Sequence, residues 1–234
     1  MQGMRSRRIA LLGLLVLVGG CGLLDALDKL KSVTFMLPAQ TFTVTTDGPN
    51  WRSPPASGIP PLPCGQGQPI PDCCKAPGID CTRTPLSCEA ERCALKFTYD
   101  QVAGVTLSNV DALKQNSGMI FSDLLLKQID LTVDNQMNVT TPPVDLYVAP
   151  SSTTSASGPG AIKFATIPRQ TAGFKGNISV PVDSSGQTAF SSFARNVQTP
   201  FNIIMSTGFL IKSGEPVPAG DVVFQVSGVV QAKL

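Results

Sequence analysis

The chain contains no histidine among its 234 residues, and only 15% of its residues are charged. Histidine is the commonest general base and metal ligand, so its absence excludes Ser–His–Asp and Cys–His arrangements for nucleophilic catalysis. No glycine-rich phosphate-binding loop and no acidic calcium loop occurs either. The sequence therefore offers no motif for catalysis, and we expect no enzymatic activity, no metal site and no cofactor.

Carboxylates are the remaining groups that could carry out catalysis, since a pair of acids can hydrolyse a glycosidic bond. Asp130 and Asp134 lie on the polar side of one predicted strand. A solvated strand face explains both residues more simply than an active site does. A carboxylate-based hydrolase is therefore only the third hypothesis for function.

Basic clusters and long apolar runs are scarce as well. Without a run of Lys or Arg there is no electrostatic case for a nucleic-acid partner. The apolar run Ile9–Val18 has ten residues, whereas a helix that crosses a bilayer needs about 20. This run follows Arg5, Arg7 and Arg8, and a basic head before a short apolar stretch is typical of an export signal.

The apolar run ends in a cysteine rather than in the usual small-residue cleavage site. The stretch Val16–Cys21 resembles the lipobox of bacterial lipoproteins, in which small residues precede the cysteine that becomes the mature N-terminus. The resemblance covers residues 1–21 and implies a signal peptide over residues 1–20. It also implies a diacylglyceryl group on the Cys21 thiol and acylation of its amine, with chains such as palmitate. An ordinary secretory signal that ends near a cysteine is the alternative.

Lipidation at Cys21 would make the membrane a partner through the covalent anchor. The resemblance implies a location in the bacterial cell envelope, at the outer membrane, on its periplasmic or its surface side. Cleavage would remove three basic residues and no acid, which changes the formal charge from +2 to −1. Residues 21–31 then form a lipidated N-terminus and a short tether with leucines at helical spacing.

Six further cysteines lie within one 30-residue window: Cys64, Cys73, Cys74, Cys81, Cys88 and Cys93. An even number of clustered cysteines in an exported chain predicts three disulfides. The pairing is open, although adjacent Cys73 and Cys74 are expected to have different partners. A zinc site is the alternative, but the chain has neither a C-x-x-C motif nor a histidine to supply ligands.

Residues 47–93 are expected to form a disulfide-stapled, proline-rich insertion. Eight prolines lie between Pro54 and Pro77, and proline lacks the N–H that a sheet requires. The lone tryptophan, Trp51, lies at the entrance to this insertion. It is a candidate binding residue because tryptophan often anchors interfaces, but a partly buried core position is the simpler interpretation.

Alternation of apolar and polar residues predicts strands through most of the remaining chain. The predicted strands span residues 33–37, 41–46, 95–100, 102–107, 127–139, 144–148, 162–167, 176–182, 201–212 and 221–234. Short helices are predicted near residues 110–115 and 190–197, a turn at 183–186 and an irregular, mobile loop at 151–160. Strands with one apolar and one polar face are typical of antiparallel sheets.

These patterns predict an all-β, mainly antiparallel fold, an immunoglobulin-like β-sandwich with two short helices. We expect one domain over residues 32–234 that includes the insertion. Part of this region resembles the late-embryogenesis-abundant type 2 (WHy-like) domain, through four short motifs: Leu131–Asn135, Pro143–Val148, Ile167-Pro168 and Ile178–Val182. The resemblance covers residues 123–183 and implies an immunoglobulin-like β-sandwich associated with stress and desiccation. The family's Asn-Pro-Asn is Asn135-Gln136-Met137 here, so the match is degraded.

Two hypotheses for function remain in front of the hydrolase. The first is a lipid-anchored, non-catalytic envelope protein that binds or scaffolds other envelope components. The alternative is a β-sandwich carrier whose interior or edge holds a lipid or another apolar ligand. The size of the apolar cavity between the sheets separates these two hypotheses.

Overall fold

The computed structural model describes residues 32–48, 51–52, 54, 59–65, 74, 81, 86–114 and 122–233. Cys21, the predicted signal peptide and the tether lie outside these residues. Strands in the described residues are β1 (Ser32–Met36), β2 (Gln40–Thr45), β3 (Leu86–Glu89), β4 (Arg92–Val105), β5 (Asp123–Asn135), β6 (Val144–Pro150), β7 (Ile162–Ile167), β8 (Lys175–Pro181), β9 (Phe201–Lys212) and β10 (Asp221–Lys233). The helices are a 3-10 turn (Leu107–Asn109), α1 (Asp111–Lys114) and α2 (Ser184–Ala194).

The strands form two antiparallel sheets. The first sheet has the order β1-β10-β5-β8, and β2 also pairs with β10; the second has the order β3-β4-β9-β6-β7. Strand β10 pairs with β5 along its whole length, with β2 at residues 221–226 and with β1 at residues 229–233. The prediction of an all-β, mainly antiparallel β-sandwich with short helices is confirmed.

The main hydrophobic core consists of side chains from the inner faces of both sheets. Its largest fully buried side chains include Phe42, Phe224, Leu131, Phe201 and Leu146. In β10 the even-numbered residues are buried and the odd-numbered residues are more exposed. This is the period-2 pattern that the sequence predicted for the final strand.

Strand β5 contains a β-bulge at Lys127, which corrects the predicted strand at residues 127–139. Leu126 pairs with Val230 and Gln128 pairs with Val229, so Lys127 has no paired residue on β10. Because of this extra residue, the buried side chains belong to even-numbered residues before Lys127 and to odd-numbered residues after it. The buried residues of β5 are Leu124 and Leu126 before the bulge, then Ile129, Leu131, Val133 and Asn135 after it. Strand β5 also begins earlier than the predicted residue 127, and it ends at Asn135 rather than at residue 139.

Helix α2 also begins earlier than the sequence predicted, and it ends at Ala194 rather than near Val197. The predicted turn at residues 183–186 is the helix start, because the Asp183 carboxylate accepts a hydrogen bond from the Gly186 N–H at 2.7 Å. This N-cap bond, with a second from the Ser185 hydroxyl, holds the pKa of Asp183 below its usual range. A Cβ on Gly186 would collide with the carbonyl oxygen of Phe164 on β7.

The outer edge of β2 is closed by a side chain from the other sheet. The Gln101 amide oxygen accepts a hydrogen bond from the Thr43 N–H at 2.7 Å, and the Gln101 amide nitrogen donates to the Thr43 carbonyl. The side-chain amide thus pairs with the backbone as a neighbouring strand would. Such a cap protects an edge that could otherwise pair with another chain.

The two ends of the sandwich are formed by different parts of the chain. Strand β9 ends at Lys212 and β10 starts at Asp221, so the loop between them marks one end, which we call the knob end. At the other end, the Ser32 end, Ser32 pairs with Lys233. The 13 residues of β10 at about 3.3 Å each separate the two ends by roughly 40 Å.

The loop at residues 151–160 lies over the outer face of the second sheet. The Asn202 amide on β9 donates to the carbonyls of Ser151 at 3.0 Å and Thr153 at 2.9 Å. The Asp100 carboxylate on β4 accepts a hydrogen bond from the Ala156 N–H at 3.1 Å. The loop is irregular as expected, but these bonds attach it to two strands of the sheet.

Removing β10 should abolish folding, because β1 and β2 pair only with this strand among the described residues. Fully burying side chains such as Val222 and Phe224 contributes about 1.5–3 kcal/mol each. A chain truncated after Gly220 should give an unfolded far-UV circular dichroism spectrum. The matched control ends after Gln231, which removes only the last three residues. A truncated chain that melts cooperatively would contradict the central role of β10.

Candidate functional site

The cysteine cluster forms disulfides at the knob end. Cys64 is bonded to Cys88, with 5.7 Å between their Cα atoms, and Cys74 is bonded to Cys81, at 5.6 Å. Cys93 is also disulfide-bonded. Cys73 lies outside the described residues. The prediction that the insertion is held by disulfides is confirmed for these bonds.

These disulfides surround a small hydrophobic core that is distinct from the core between the sheets. Its buried members are Cys64, Leu86, Cys93, Leu95 and Ile211. Leu86 and Cys93 come from the β3–β4 hairpin, so the last residues of the predicted insertion form regular sheet. We call the disulfides, this small core and residues 59–65 the knob. Its position next to β4 and β9 joins it to the second sheet.

The turn of the β3–β4 hairpin is strained. Ala90 and Glu91 have φ values of 50° and 63°, in the left-handed region that non-glycine residues rarely occupy. Each such residue costs about 1–2 kcal/mol. The geometry follows from the pairing of Glu89 with Arg92, which leaves a two-residue hairpin loop with positive φ at both residues. The Cys64 N–H donates to the Glu91 carbonyl at 3.2 Å and joins this turn to the knob.

Two open clefts meet at this strained turn. One, of about 760 Å³, is lined by Pro63, Cys64, Gly65, Ala90 and Glu91. The other, of about 420 Å³, is lined by Pro61, Leu62, Pro63, Glu91, Arg92, Ser213 and Gly214. Strained backbone beside clefts is a common feature of binding sites. No local pattern predicts this turn, because neither residue is a glycine or an asparagine.

Trp51 lies in the core rather than on the surface. Only 8% of the residue is exposed. Its ring is 5.0 Å from Phe97 and 4.8 Å from Phe209, both edge-to-face, and 6.5 Å from Tyr99. The ring therefore offers little surface to a partner, and it joins the insertion to strands β4 and β9 through aromatic packing.

Asp130 and Asp134 lie on the outer face of the first sheet, and both are engaged by neighbours on that face. Asp130 accepts a hydrogen bond from Ser179 at 2.6 Å, and Asp134 forms an ion pair with Lys175 at 2.8 Å. The hydrogen bond from the Lys175 ammonium holds the pKa of Asp134 below its usual range. The two carboxylates are thus engaged separately, one by a hydrogen bond and the other by an ion pair.

A second pair of acids flanks Ser206 on the outer face of the second sheet. Asp100 and Asp145 are the residues directly opposite Ser206 on β4 and β6. Asp145 forms an ion pair with Lys163 at 2.7 Å. Asp100 accepts the Ala156 N–H, and its other oxygen is buried without a hydrogen-bond partner in the described residues. The acids are thus split between an ion pair and a loop contact.

The apolar cavity between the sheets is small. Its volume is about 20 Å³, and its lining includes Leu37, Val105, Leu126, Phe164 and Val226. A single water needs roughly 10–15 Å³ by this measure, whereas pockets for drug-sized ligands span roughly 300–1,000 Å³. This cavity is therefore too small for an acyl chain.

Asn135 organises the loops at the knob end of the first sheet. The residue is 1% exposed. Its amide nitrogen donates to the carbonyls of Gln170 at 3.1 Å and Thr171 at 2.8 Å, and its amide oxygen accepts the Met137 N–H at 3.0 Å. The strand-end asparagine of the WHy-like resemblance thus has a structural role here.

Among the residues that the structure describes, no group of three or more acidic or cysteine side chains could hold a metal ion. No helix within those same ranges is long and apolar enough to cross a membrane. The features that the described residues do contain are a β-sandwich, disulfides, and a strained turn with two clefts at one end.

Comparisons with known proteins give no family for this chain. No protein-family description and no curated protein matches the sequence. Among solved structures, a desmodium yellow mottle tymovirus structure is 13% identical, with 60% of this chain and 86% of that chain covered and a TM-score of 0.26. The decameric BFDV capsid protein is 12% identical, with 87% and 100% covered and a TM-score of 0.31. A Kashmir bee virus empty particle is 10% identical, with 86% and 92% covered and a TM-score of 0.29. All three TM-scores are below 0.5, so these likenesses say nothing about the function of this chain.

Replacing Asn135 with alanine should strongly destabilise the fold. The change leaves the buried Met137 N–H without its partner, whereas the carbonyls of Gln170 and Thr171 still accept the N–H groups of Thr141 and Phe174. Because a buried unsatisfied group costs about 1–3 kcal/mol, we expect the free energy of unfolding in urea to fall by about that amount. Asn177→Ala, at an exposed position on β8, should change it by less than about 0.5 kcal/mol. Equal effects of both variants would contradict the role assigned to Asn135.

Replacing Glu91 with glycine should stabilise the protein. Glycine adopts positive φ without the steric cost that a side chain imposes, so the midpoint of urea unfolding should rise by the equivalent of about 1 kcal/mol. Glu89→Gly is the matched control, because Glu89 lies in the strand just before the turn and should lose stability. If glycine at residue 91 destabilises as much as glycine at residue 89, the turn is not strained.

Proposed function

We propose that this chain is a lipid-anchored, non-catalytic protein of the bacterial cell envelope, attached to the outer membrane, whose knob end binds or scaffolds other envelope components. The observation that carries the proposal is the placement of the two ends. The chain enters the sandwich at Ser32, which pairs with Lys233, while the disulfides and clefts lie at the opposite end. An anchor at Cys21 would therefore hold the Ser32 end toward the membrane and leave the knob end facing away.

The length of the tether limits how far the sandwich can lie from the membrane. Eleven steps separate Cys21 from Ser32, and a chain of that length spans at most about 36–40 Å when extended. The anchored sandwich would then stay close to the membrane surface, with the knob end roughly 40 Å further out along β10. Disulfides support an exported location, since they persist in oxidising compartments.

The chemistry of the described side chains supports a binding role over a catalytic one. Asp134 and Asp145 are held in ion pairs. The apolar cavity of about 20 Å³ is smaller than a carrier of lipids requires. Binding at the clefts of the knob end needs no reactive group, only a shaped surface with fixed polar and apolar positions.

Cys21→Ala should release the protein from membranes. Each buried CH₂ of the acyl chains contributes about 0.8 kcal/mol to membrane binding, and the variant has no thiol to acylate. Fractionation with intact-mass spectrometry should find wild type in membranes at the acylated mature mass and the variant soluble or uncleaved. Gly22→Ala keeps the cysteine and is the control. A Cys21→Ala protein that still fractionates with membranes at the mature mass would show that the anchor is misassigned.

A further inference from the structure

A short proline-rich segment, Ile59–Cys64, lies on the knob, and its middle residues are exposed. Its sequence is Ile-Pro-Pro-Leu-Pro-Cys. Proline fixes φ near −65°, and a residue that precedes proline is restricted to extended conformations. Every residue from 59 to 63 is a proline or precedes one, so the sequence favours polyproline II. In the structure this segment contains neither helix nor strand, and its one isolated bridge joins Pro63 to Arg92.

The segment is fixed at both ends. At its start, the Ser213 hydroxyl donates to the Ile59 carbonyl at 3.1 Å. At its end, the Cys64 N–H donates to the Glu91 carbonyl at 3.2 Å, and the Cys64 sulfur is bonded to Cys88. Its ends are therefore attached to two different loops of the knob end.

Between these attachments the side chains face outward. Pro61, Leu62 and Pro63 are exposed, and Leu62 has 42% of its surface exposed although it is a large apolar residue. The two clefts described above both include Pro63 in their lining. Residues 60–63, of which Pro60 is half-buried, thus lead up to an exposed edge beside the two clefts, and we call them the proline ridge.

We propose that the proline ridge is a recognition site for a protein domain with an aromatic-lined groove. Grooves of this kind bind Pro-x-x-Pro segments because polyproline II is already formed and loses little entropy on binding. Pro60 and Pro63 have that spacing, and polyproline II has three residues per turn, which places both on the same edge. Leu62 then supplies the apolar side chain beside them.

Charge beside the ridge is mixed. Arg92 and Glu91 both line the cleft beside Pro63 and both are exposed, and Glu91 also lines the other cleft. Arg92 forms no ion pair with the residues that the structure describes. A single carboxylate at the rim of the partner's groove, placed opposite Arg92, would pair with this guanidinium in the bound state.

The inference deepens the binding role proposed above and rests on it, but the two are tested separately. Membrane fractionation of Cys21→Ala tests anchoring, and binding in detergent solution tests the proline ridge. If the ridge binds a partner domain but the chain is never acylated, the proposed anchor is wrong and the recognition site stands. If the chain is acylated but the ridge binds nothing, only the recognition site is wrong.

The test is calorimetric titration of the full mature chain, with its disulfides oxidised, with a purified SH3 domain and a purified WW domain that each carry a carboxylate at the rim of the groove. We expect saturable binding to at least one domain. Leu62→Ser and, independently, Pro61→Ala should each weaken that binding at least tenfold, and Arg92→Glu should weaken it severalfold. Pro216→Ala is the matched control, because Pro216 is also an exposed proline at the knob end, and it should bind as wild type does.

A free peptide of residues 59–63 provides a second measurement. Because the chain holds the ridge at both ends, the peptide should bind the same domain at least tenfold more weakly than the folded chain does. The proposal is overturned if neither domain binds the folded chain, or if Leu62→Ser and Pro61→Ala bind as wild type does while their melting temperatures are unchanged. It is also overturned if Pro216→Ala weakens binding as much as Pro61→Ala.

Discussion

Strand β10 is the central strand of the first sheet, because β1, β2 and β5 all pair with it. Such pairing satisfies N–H and C=O groups that would be costly to bury alone. Two short strands share one of its edges in succession, and the full-length β5 covers the other. The even-numbered side chains of β10 then fill the inner face. The strand also links the sheets, because the loop before it comes directly from β9.

The knob is stabilised differently from the sandwich, because its proline-rich chain cannot pair with a sheet along its length. Proline supplies no N–H for pairing, so this segment cannot be stabilised by strand pairing as β10 is. Disulfides replace those bonds, each contributing about 2–4 kcal/mol by restricting the unfolded chain. The small core of Leu86, Leu95 and Ile211 then ties the knob to the hairpin and to β9.

Much of the sandwich could be predicted from the sequence, because alternation of apolar and polar residues follows directly from strand geometry. Strand β10 shows this, since its period of two is unbroken. The start of β5 could not be predicted, because the bulge at Lys127 inserts one residue and reverses which side is buried. The start of α2 was missed for another reason: Asp183 and Gly186 are common in turns, and only the N-cap hydrogen bond distinguishes the helix start.

The candidate site could be predicted only in part. Clustered cysteines predicted the disulfides, but no local pattern predicted positive φ at Ala90 and Glu91, because these residue types do not favour it. The contact that joins them to the knob comes from Cys64, 27 residues earlier in the chain. Long-range contacts of this kind, like that between Gln101 and Thr43, have no signature in local sequence.

The strained turn and the proline ridge are joined by one hydrogen bond, between the Cys64 N–H and the Glu91 carbonyl. A left-handed pair of residues at the turn costs free energy, which the strand pairing on either side of the turn and the attachments of Cys64 offset. The same attachments fix the last residue of the ridge. A flexible Pro-x-x-Pro segment would lose conformational entropy on binding, whereas a ridge fixed at Ile59 and Cys64 has lost that entropy during folding. The disulfide between Cys64 and Cys88 therefore stabilises the turn and also restricts the conformation of the proline ridge before a partner binds.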